Sequence, residues 1–374
     1  MRFGAGRIKE LPEACRSLGI QRPLLITDQA LAALPMVQDT LEICRAAGLP
    51  CGLFSDVQGN PVEANVSAGV QAFKDGGHDG VIAFGGGSGL DAAKAVALMV
   101  GQTRPIWDFE DREDWWTRIN PDGMAPVVAV PTTAGTGSEV GRASVITDER
   151  DHTKKIIFHP KMLPAIVIAD PELTLGLPAH ITAATGMDAL SHNLEAYCAP
   201  FYHPMADGIA MEGMRLVKQY LPIAVAHGQD LAARTHMLTA SMMGATAFQK
   251  GLGGMHAIAH SLGALYDAHH GLLNAILMPY ILKANQTAIE DRIERLSRFL
   301  ALEAASFNGF LDWILALREQ LDIPHSLSAI GIDTAQAARV GAMAAADPSA
   351  GGNPVAFSAE RYSEIFADAV NGKL

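Results

Sequence analysis

The chain has 374 residues, of which 49% are hydrophobic and 18% charged; this length suggests about two domains, and the apolar content excludes a disordered chain. Its formal net charge of −12 leaves nothing to neutralise phosphates over an extended surface, so neither nucleic acid nor an anionic membrane is an expected partner and a small-molecule enzyme fits better. No apolar run reaches the roughly 20 residues that span a bilayer, Met1-Arg-Phe-Gly-Ala-Gly6 has no secretory core, and Cys15, Cys44, Cys51 and Cys198 form no Cys-x-x-Cys pair, so a cytoplasmic protein with reduced thiols is expected.

The first half alternates short apolar runs with helical segments. Pro23 to Asp28 reads as a strand ending in an acid, Gln29 to Ala47 as a helix, Cys51 to Asp56 as a strand and Val62 to Gly76 as a helix. Gly80 to Phe84 is a continuous apolar strand of the kind found in parallel sheets. This alternation predicts a doubly wound α/β domain. The third strand runs into Gly85-Gly86-Gly87-Ser88-Gly89-Leu90-Asp91 and then a helical run from Ala92. Glycines let backbone N–H groups approach a phosphate, and a helix start adds partial positive charge, so the segment suits a pyrophosphate cradle, although its spacing is not Gly-x-Gly-x-x-Gly. A plain tight turn is the simpler alternative. Asp28, at the end of the first strand, suits a ribose 2′-hydroxyl and would repel a 2′-phosphate, which favours NAD over NADP; a helix cap is the plainer alternative.

Gly101 to Asp122 reads as a long polar and aromatic surface connection with no evident chemistry. Ala125 to Pro131 is a further strand, followed by Thr132-Thr133-Ala-Gly-Thr136-Gly-Ser138-Glu-Val, whose hydroxyls and glycines suit phosphate and ribose contacts; Lys154 follows as a cation near the cofactor. Ala165 to Asp170 is another strand, and Pro171 to Pro178 reads as a seam between domains. Beyond it the pattern is helical, with amphipathic segments at Met205 to Tyr220, Leu231 to Lys250, Thr287 to Leu300 and Phe307 to Gln320.

Four histidines, His256, His260, His269 and His270, fall within fifteen residues of an otherwise apolar stretch. His256 and His260 stand four apart and share a helix face; core histidines with ordinary hydrogen bonds account for this stretch equally well. Asp188 and His192 form a second such pair. Two helices of one domain, each with an i, i+4 pair of metal-competent residues, point to a site for a catalytic divalent metal, Fe(II) or Zn(II), between which ligand type alone does not choose.

Taken together, Gly85-Gly-Gly-Ser88 with Asp91-Ala-Ala-Lys94, Pro131-Thr-Thr-Ala-Gly-Thr-Gly-Ser138-Glu-Val, Asp170-Pro-Glu-Leu-Thr, Gly186-Met-Asp-Ala-Leu-Ser-His192 and His256-x3-His260-x9-His270-Gly resemble the iron-containing (group III) alcohol dehydrogenase family. The motifs keep the family's order over nearly the whole chain. The resemblance implies a dehydroquinate synthase-like plan: a dinucleotide-binding α/β domain over 1–178, an all-helical metal-binding domain over 179–374, and a cleft holding NAD(P) and a divalent metal. It places the ligands on Asp188, His192, His256 and His270, and a non-ligand histidine near the reacting centre on His260. It places the cofactor contacts on Asp28, Asn60, Gly86, Gly87, Ser88, Thr132, Thr133, Lys154 and Leu173. Gly141 stands where some members carry a threonine, Ser261 where many carry proline, and His269 competes with His270 for the inward position.

The implied reaction is reversible oxidation of an alcohol to an aldehyde or ketone, with hydride passing to nicotinamide, a metal as Lewis acid and His260 relaying the proton. A homodimer is the expected assembly. A maleylacetate-type reductase shares the fold but works without metal, and retention of all four ligand positions weighs against it. A dehydroquinate synthase-like lyase needs basic residues for an anionic substrate, and the motifs here are flanked by Ala, Leu, Met and Gly. A non-catalytic metal or nucleotide-binding protein would not need both motif sets.

Overall fold

The computed structural model describes residues 1–374, and its internal contacts divide the chain into two compact units. The first comprises residues 1–133 and 137–175, the second residues 134–136 and 176–374.

The first unit holds eight strands: β1 (Arg2–Phe3), β2 (Pro23–Ile26), β3 (Gly52–Phe54), β4 (Gly80–Gly85), β5 (Val127–Pro131), β6 (Ala143–Asp148), β7 (Thr153–Phe158) and β8 (Ile166–Ala169). Six of them pair in parallel in the order β1-β8-β5-β4-β2-β3. β2, β4 and β5 are buried at every position, which is why they read as unbroken apolar runs. Leu25, Ile82, Phe84, Val128 and Val130 pack with residues of α1 (Leu11–Ser17) and α3 (Pro35–Ala46), and α5 (Gly87–Met99) packs on β2, β4 and β5 and carries α4 (Glu63–Asp75). Asp170 closes the sheet's last loop: its buried carboxylate accepts the N–H groups of Gly6, Ile8 and Glu172 at 3.2, 2.9 and 3.0 Å, tying the start of the chain to β8.

Several elements differ from the sequence reading. The expected helix from Gln29 to Ala47 is two, α2 (Gln29–Ala32) and α3, because Leu34 is extended ahead of Pro35; the proline ring disfavours helical geometry at the residue before it. The stretch from Gly101 to Asp122 is no mere surface connection. The first of its three 3₁₀ turns buries Ile106, Trp107 and Phe109, and the Trp107 Nε1–H donates to Glu63 at 2.7 Å. β1 and the antiparallel β6–β7 hairpin were not expected; two residues give β1 no periodicity to detect, and the hairpin mixes charges with β-branched residues on a half-buried surface.

The second unit is helical: α6 (Ala179–Cys198), α7 (Pro204–Ala226), α8 (Leu231–Ala247), α9 (Gly254–Tyr266), α10 (His270–Phe299), α11 (Phe307–Gln320), α12 (Ala337–Ala346) and α13 (Ala359–Asn371). α6 is its central element, packing on α7, α8 and α10, and it is buried almost throughout from Thr182 to Cys198. A helix buried on every side is one enclosed by neighbours, and its polar residues must find partners there. The segment expected from Thr287 to Leu300 is only the end of α10, which runs unbroken from His270 through Pro279. No helix is long and apolar enough to cross a membrane.

Candidate active site

α6 carries Asp188 and His192 one turn apart, so both side chains leave the same face. α9 contributes His256 and α10 begins at His270. One ligand atom from each of these four residues lies within 4.8 Å of all the others. His270 Nε2 is 3.6 Å from Asp188 Oδ1, and the His192 and His256 rings stack with centroids 4.6 Å apart. Asp188, His192 and His256 are buried and His270 is half-buried.

The adjacent histidines separate cleanly. His269 is exposed and caps α10, accepting the Leu272 N–H at its Nδ1. His270 turns into the cluster, its ring stacked 5.4 Å from that of His260. His260 does not belong to the group of four; its Nδ1 bonds Asp347 Oδ2 at 3.0 Å.

Three further side chains organise the site. Glu195, on α6, accepts from His256 Nδ1 at 2.7 Å. Asn274, one turn beyond His270, places its amide nitrogen 2.9 Å from Asp188 Oδ1, 3.2 Å from His256 Nε2 and 3.1 Å from His270 Nε2. Asp347 caps the turn Pro348–Gly352 and faces His260. Sequence spacing held a signal for two of them: Glu195 lies at i+7 from Asp188 and i+3 from His192, and Asn274 at i+4 from His270. Asp347, 87 residues from His260, had none.

These residues fit a divalent metal. Three imidazoles and one carboxylate are donors for Fe(II) or Zn(II). Burial holds the His192 imidazole down at about 4, so its ring is neutral at pH 7 with a lone pair to give. Burial also presses on His256, but the charge and hydrogen bond of Glu195, with Asp188 and Asp347 behind, outweigh it and raise its pKa. The ion-pair partners of Asp188, Glu195 and Asp347 are histidines and not lysine or arginine, so the centre is electronegative.

In the first unit, β2 and β4 are neighbours, while β3 lies beyond β2 and β5 beyond β4. The order reverses between β2 and β4, the place where open α/β sheets bind ligands beyond their carboxyl ends. Asp28 follows β2 and caps α2, one oxygen accepting the Leu31 N–H at 2.9 Å. Gly86 follows β4 as the extended cap of α5, with no side-chain cap; Gly87 and Ser88 open the helix. A Cβ at Gly86 would sit 3.2 Å from Thr133, so the backbone stays bare where a helix start can meet a pyrophosphate. Ser88 Oγ donates to the Gly59 carbonyl beside Asn60, and the Thr132 N–H donates to Gly85 at 2.9 Å. Asp91 and Lys94 brace the next loop: Asp91 accepts from Ser138 Oγ and the Val145 N–H, and Lys94 donates to the carbonyls of Ser138 and Ala143. Lys154 lies on β7 opposite Thr147, and Leu173 packs into the sheet's core cluster.

Comparison with known proteins agrees with this geometry. Residues 1–171 match the model of the iron-containing alcohol dehydrogenases, and residues 182–370 that of the C-terminal region of the same family. The 4-hydroxybutyrate dehydrogenase of Cupriavidus necator is 38% identical over 370 residues, covering 96% of this chain and 95% of that protein. The NAD-dependent methanol dehydrogenase of Bacillus methanolicus is 37% identical, covering 80% of this chain and 77% of its own length. A crystal structure of a 1,3-propanediol oxidoreductase superposes with a TM-score of 0.93 at 34% identity, over 98% of this chain and 97% of that one. The chain belongs to the iron-containing alcohol dehydrogenase family and is a metal-dependent, NAD-linked oxidoreductase that interconverts an alcohol with its aldehyde or ketone by hydride transfer.

Proposed function

We propose that Asp188, His192, His256 and His270 are the ligands of the catalytic Fe(II) and that the substrate is a short primary alcohol bearing a second polar group. The observation that carries the ligand assignment is the convergence of these four donors within 4.8 Å from three different helices. The substrate class is supported by the relatives named for 4-hydroxybutyrate and 1,3-propanediol. A divalent ion at this position supplies Lewis-acid polarisation of an alcohol or carbonyl oxygen. His260 relays the substrate proton: with Nδ1 bonded to Asp347, Nε2 is the atom that takes it up.

Asp28, Asn60, Gly86, Gly87, Ser88, Thr132, Thr133, Lys154 and Leu173 form the NAD contacts in this reading, with residues 1–178 as the cofactor-binding domain and 179–374 as the metal-binding catalytic domain. The test is metal analysis of the purified protein with an NADH-absorbance screen over short alcohols, diols and hydroxy acids. Iron at one atom per chain and strongest turnover with 1,3-diols or ω-hydroxy acids are expected. Equal turnover of unsubstituted alkanols would remove the second polar group from the substrate reading.

Cytoplasmic location is supported by four free cysteines. A homodimer is supported by Phe201, Tyr202 and Met205, which lie 53%, 93% and 75% exposed around the start of α7, since neighbouring exposed apolar side chains mark association surfaces. A monomer mass by light scattering at micromolar concentration would exclude the dimer.

A further inference from the structure

Glu195 faces the same centre as Asp188 and His192 but spends both oxygens elsewhere. Oε2 accepts from His256 Nδ1 and from the Gly253 N–H, each at 2.7 Å, and Oε1 accepts from the Met255 N–H at 2.7 Å. Those two amides belong to the start of α9, whose cap residue Gly253 has no side chain to satisfy them. Glu195 is thus a helix cap supplied from another helix. The fit is close: a Cβ at Gly253 would lie 2.9 Å from Oε1.

The same carboxylate dictates the state of His256. A carboxylate that accepts this hydrogen bond requires a proton on Nδ1 of His256, so that in the neutral ring the lone pair lies at Nε2. Nε2 is the atom that faces Asn274 among the other ligands. α6 therefore supplies two members of the cluster and aims a third. We propose that Glu195 is the positioning residue of the metal site, fixing the tautomer of His256 and registering α9 against α6. This rests on the ligand set proposed above.

A cap with no bearing on metal makes a different prediction: loss of Glu195 would lower stability and leave ion binding unchanged. In Glu195→Gln one end of the side chain is an NH₂ group. Turned toward His256 it demands a lone pair at Nδ1 and drives the proton to Nε2; turned away it faces an amide donor of α9. The experiment titrates the full-length chain, cleared of metal with EDTA, with Co(II) against a chromophoric chelator. The ligand-field band and thermal midpoint are recorded for wild type, Glu195→Gln, Glu195→Asp and His256→Ala. Glu195→Gln is expected to bind Co(II) about 10–100-fold more weakly with a shifted band, and Glu195→Asp to recover part of the affinity. Wild-type affinity and band in Glu195→Gln, beside weakened binding in His256→Ala, overturn the proposal alone. Unweakened binding in His256→Ala overturns the ligand set itself. Where Glu195→Gln fails to fold, long-range ¹H–¹⁵N spectra of the wild type decide: a proton on Nδ1 of His256 supports the proposal, and a ring protonated on Nε2 with Nδ1 bare overturns it.

Discussion

Gly271 lies directly against the backbone carbonyl of Ala184: a Cβ at position 271 would come within 2.4 Å of that oxygen and 3.1 Å of the Asp188 Cβ. The first turn of α10 reaches α6 only because this residue has no side chain. Gly271→Ala must push the two helices apart, at a cost of about 1–3 kcal/mol for an overpacked site. Because His270 precedes Gly271, the shift also draws its ring from Asp188. A lower thermal midpoint together with weaker metal retention during dialysis against a chelator is expected; wild-type retention would mean the helices accommodate the methyl group without moving His270.

Asn274 is fully buried and its amide donates to Asp188 Oδ1. An alanine here leaves the carboxylate without that donor and free to rotate away from the imidazoles. Metal affinity of Asn274→Ala should fall about 10–100-fold, the usual penalty for losing a partner that orients a ligand. Competition with a calibrated chelator measures it, and an unchanged constant would limit Asn274 to packing.

Asp28 has two separable parts, a capping oxygen and a charge. Asp28→Ser keeps an acceptor for the Leu31 N–H but removes the charge that would repel a 2′-phosphate. Its stability should stay within about 1 kcal/mol of wild type, while its KM for NADP falls relative to that for NAD. If the ratio of the two KM values does not move, cofactor choice is set elsewhere.

Glu139 is buried beside Lys94, and burial pushes its carboxyl up to about 7 from an ordinary 4.5, with the lysine offsetting only part. The folded chain keeps this proton over a range in which the unfolded chain has released it. Stability from this group is complete below about pH 4.5 and is lost as pH rises through about 7. Glu139→Gln lacks that slope, so relative to wild type it should gain on the order of 1–3 kcal/mol between those limits. Urea midpoints at a series of pH values read the difference directly; parallel profiles for the two proteins would mean Glu139 is ionised throughout.

Helical spacing alone put Asp188 with His192, and His256 with His260, on common faces, since a turn of 3.6 residues fixes that geometry whatever surrounds it. The strands β2, β4 and β5 were equally plain, because a strand buried on both sides has to be apolar at every position. Long-range choices were different. The same four-residue spacing serves both pairs, yet only His256 of the second joins the cluster, while His260 turns to Asp347. Of the neighbours His269 and His270, one caps a helix in solvent and the other faces Asp188, His192 and His256, and which does which depends on where α10 begins.

Local pattern thus settled the alternation of strand and helix, the glycine turn after β4, and the residue types fit for a metal. Packing of α10 against α6 and α9 decided which side chains meet, and which carboxylates and amides hold them there. Periodicity is a property of a few consecutive residues and can be read along the chain. A contact such as Glu195 with His256, 61 positions apart, exists only once the helices have docked.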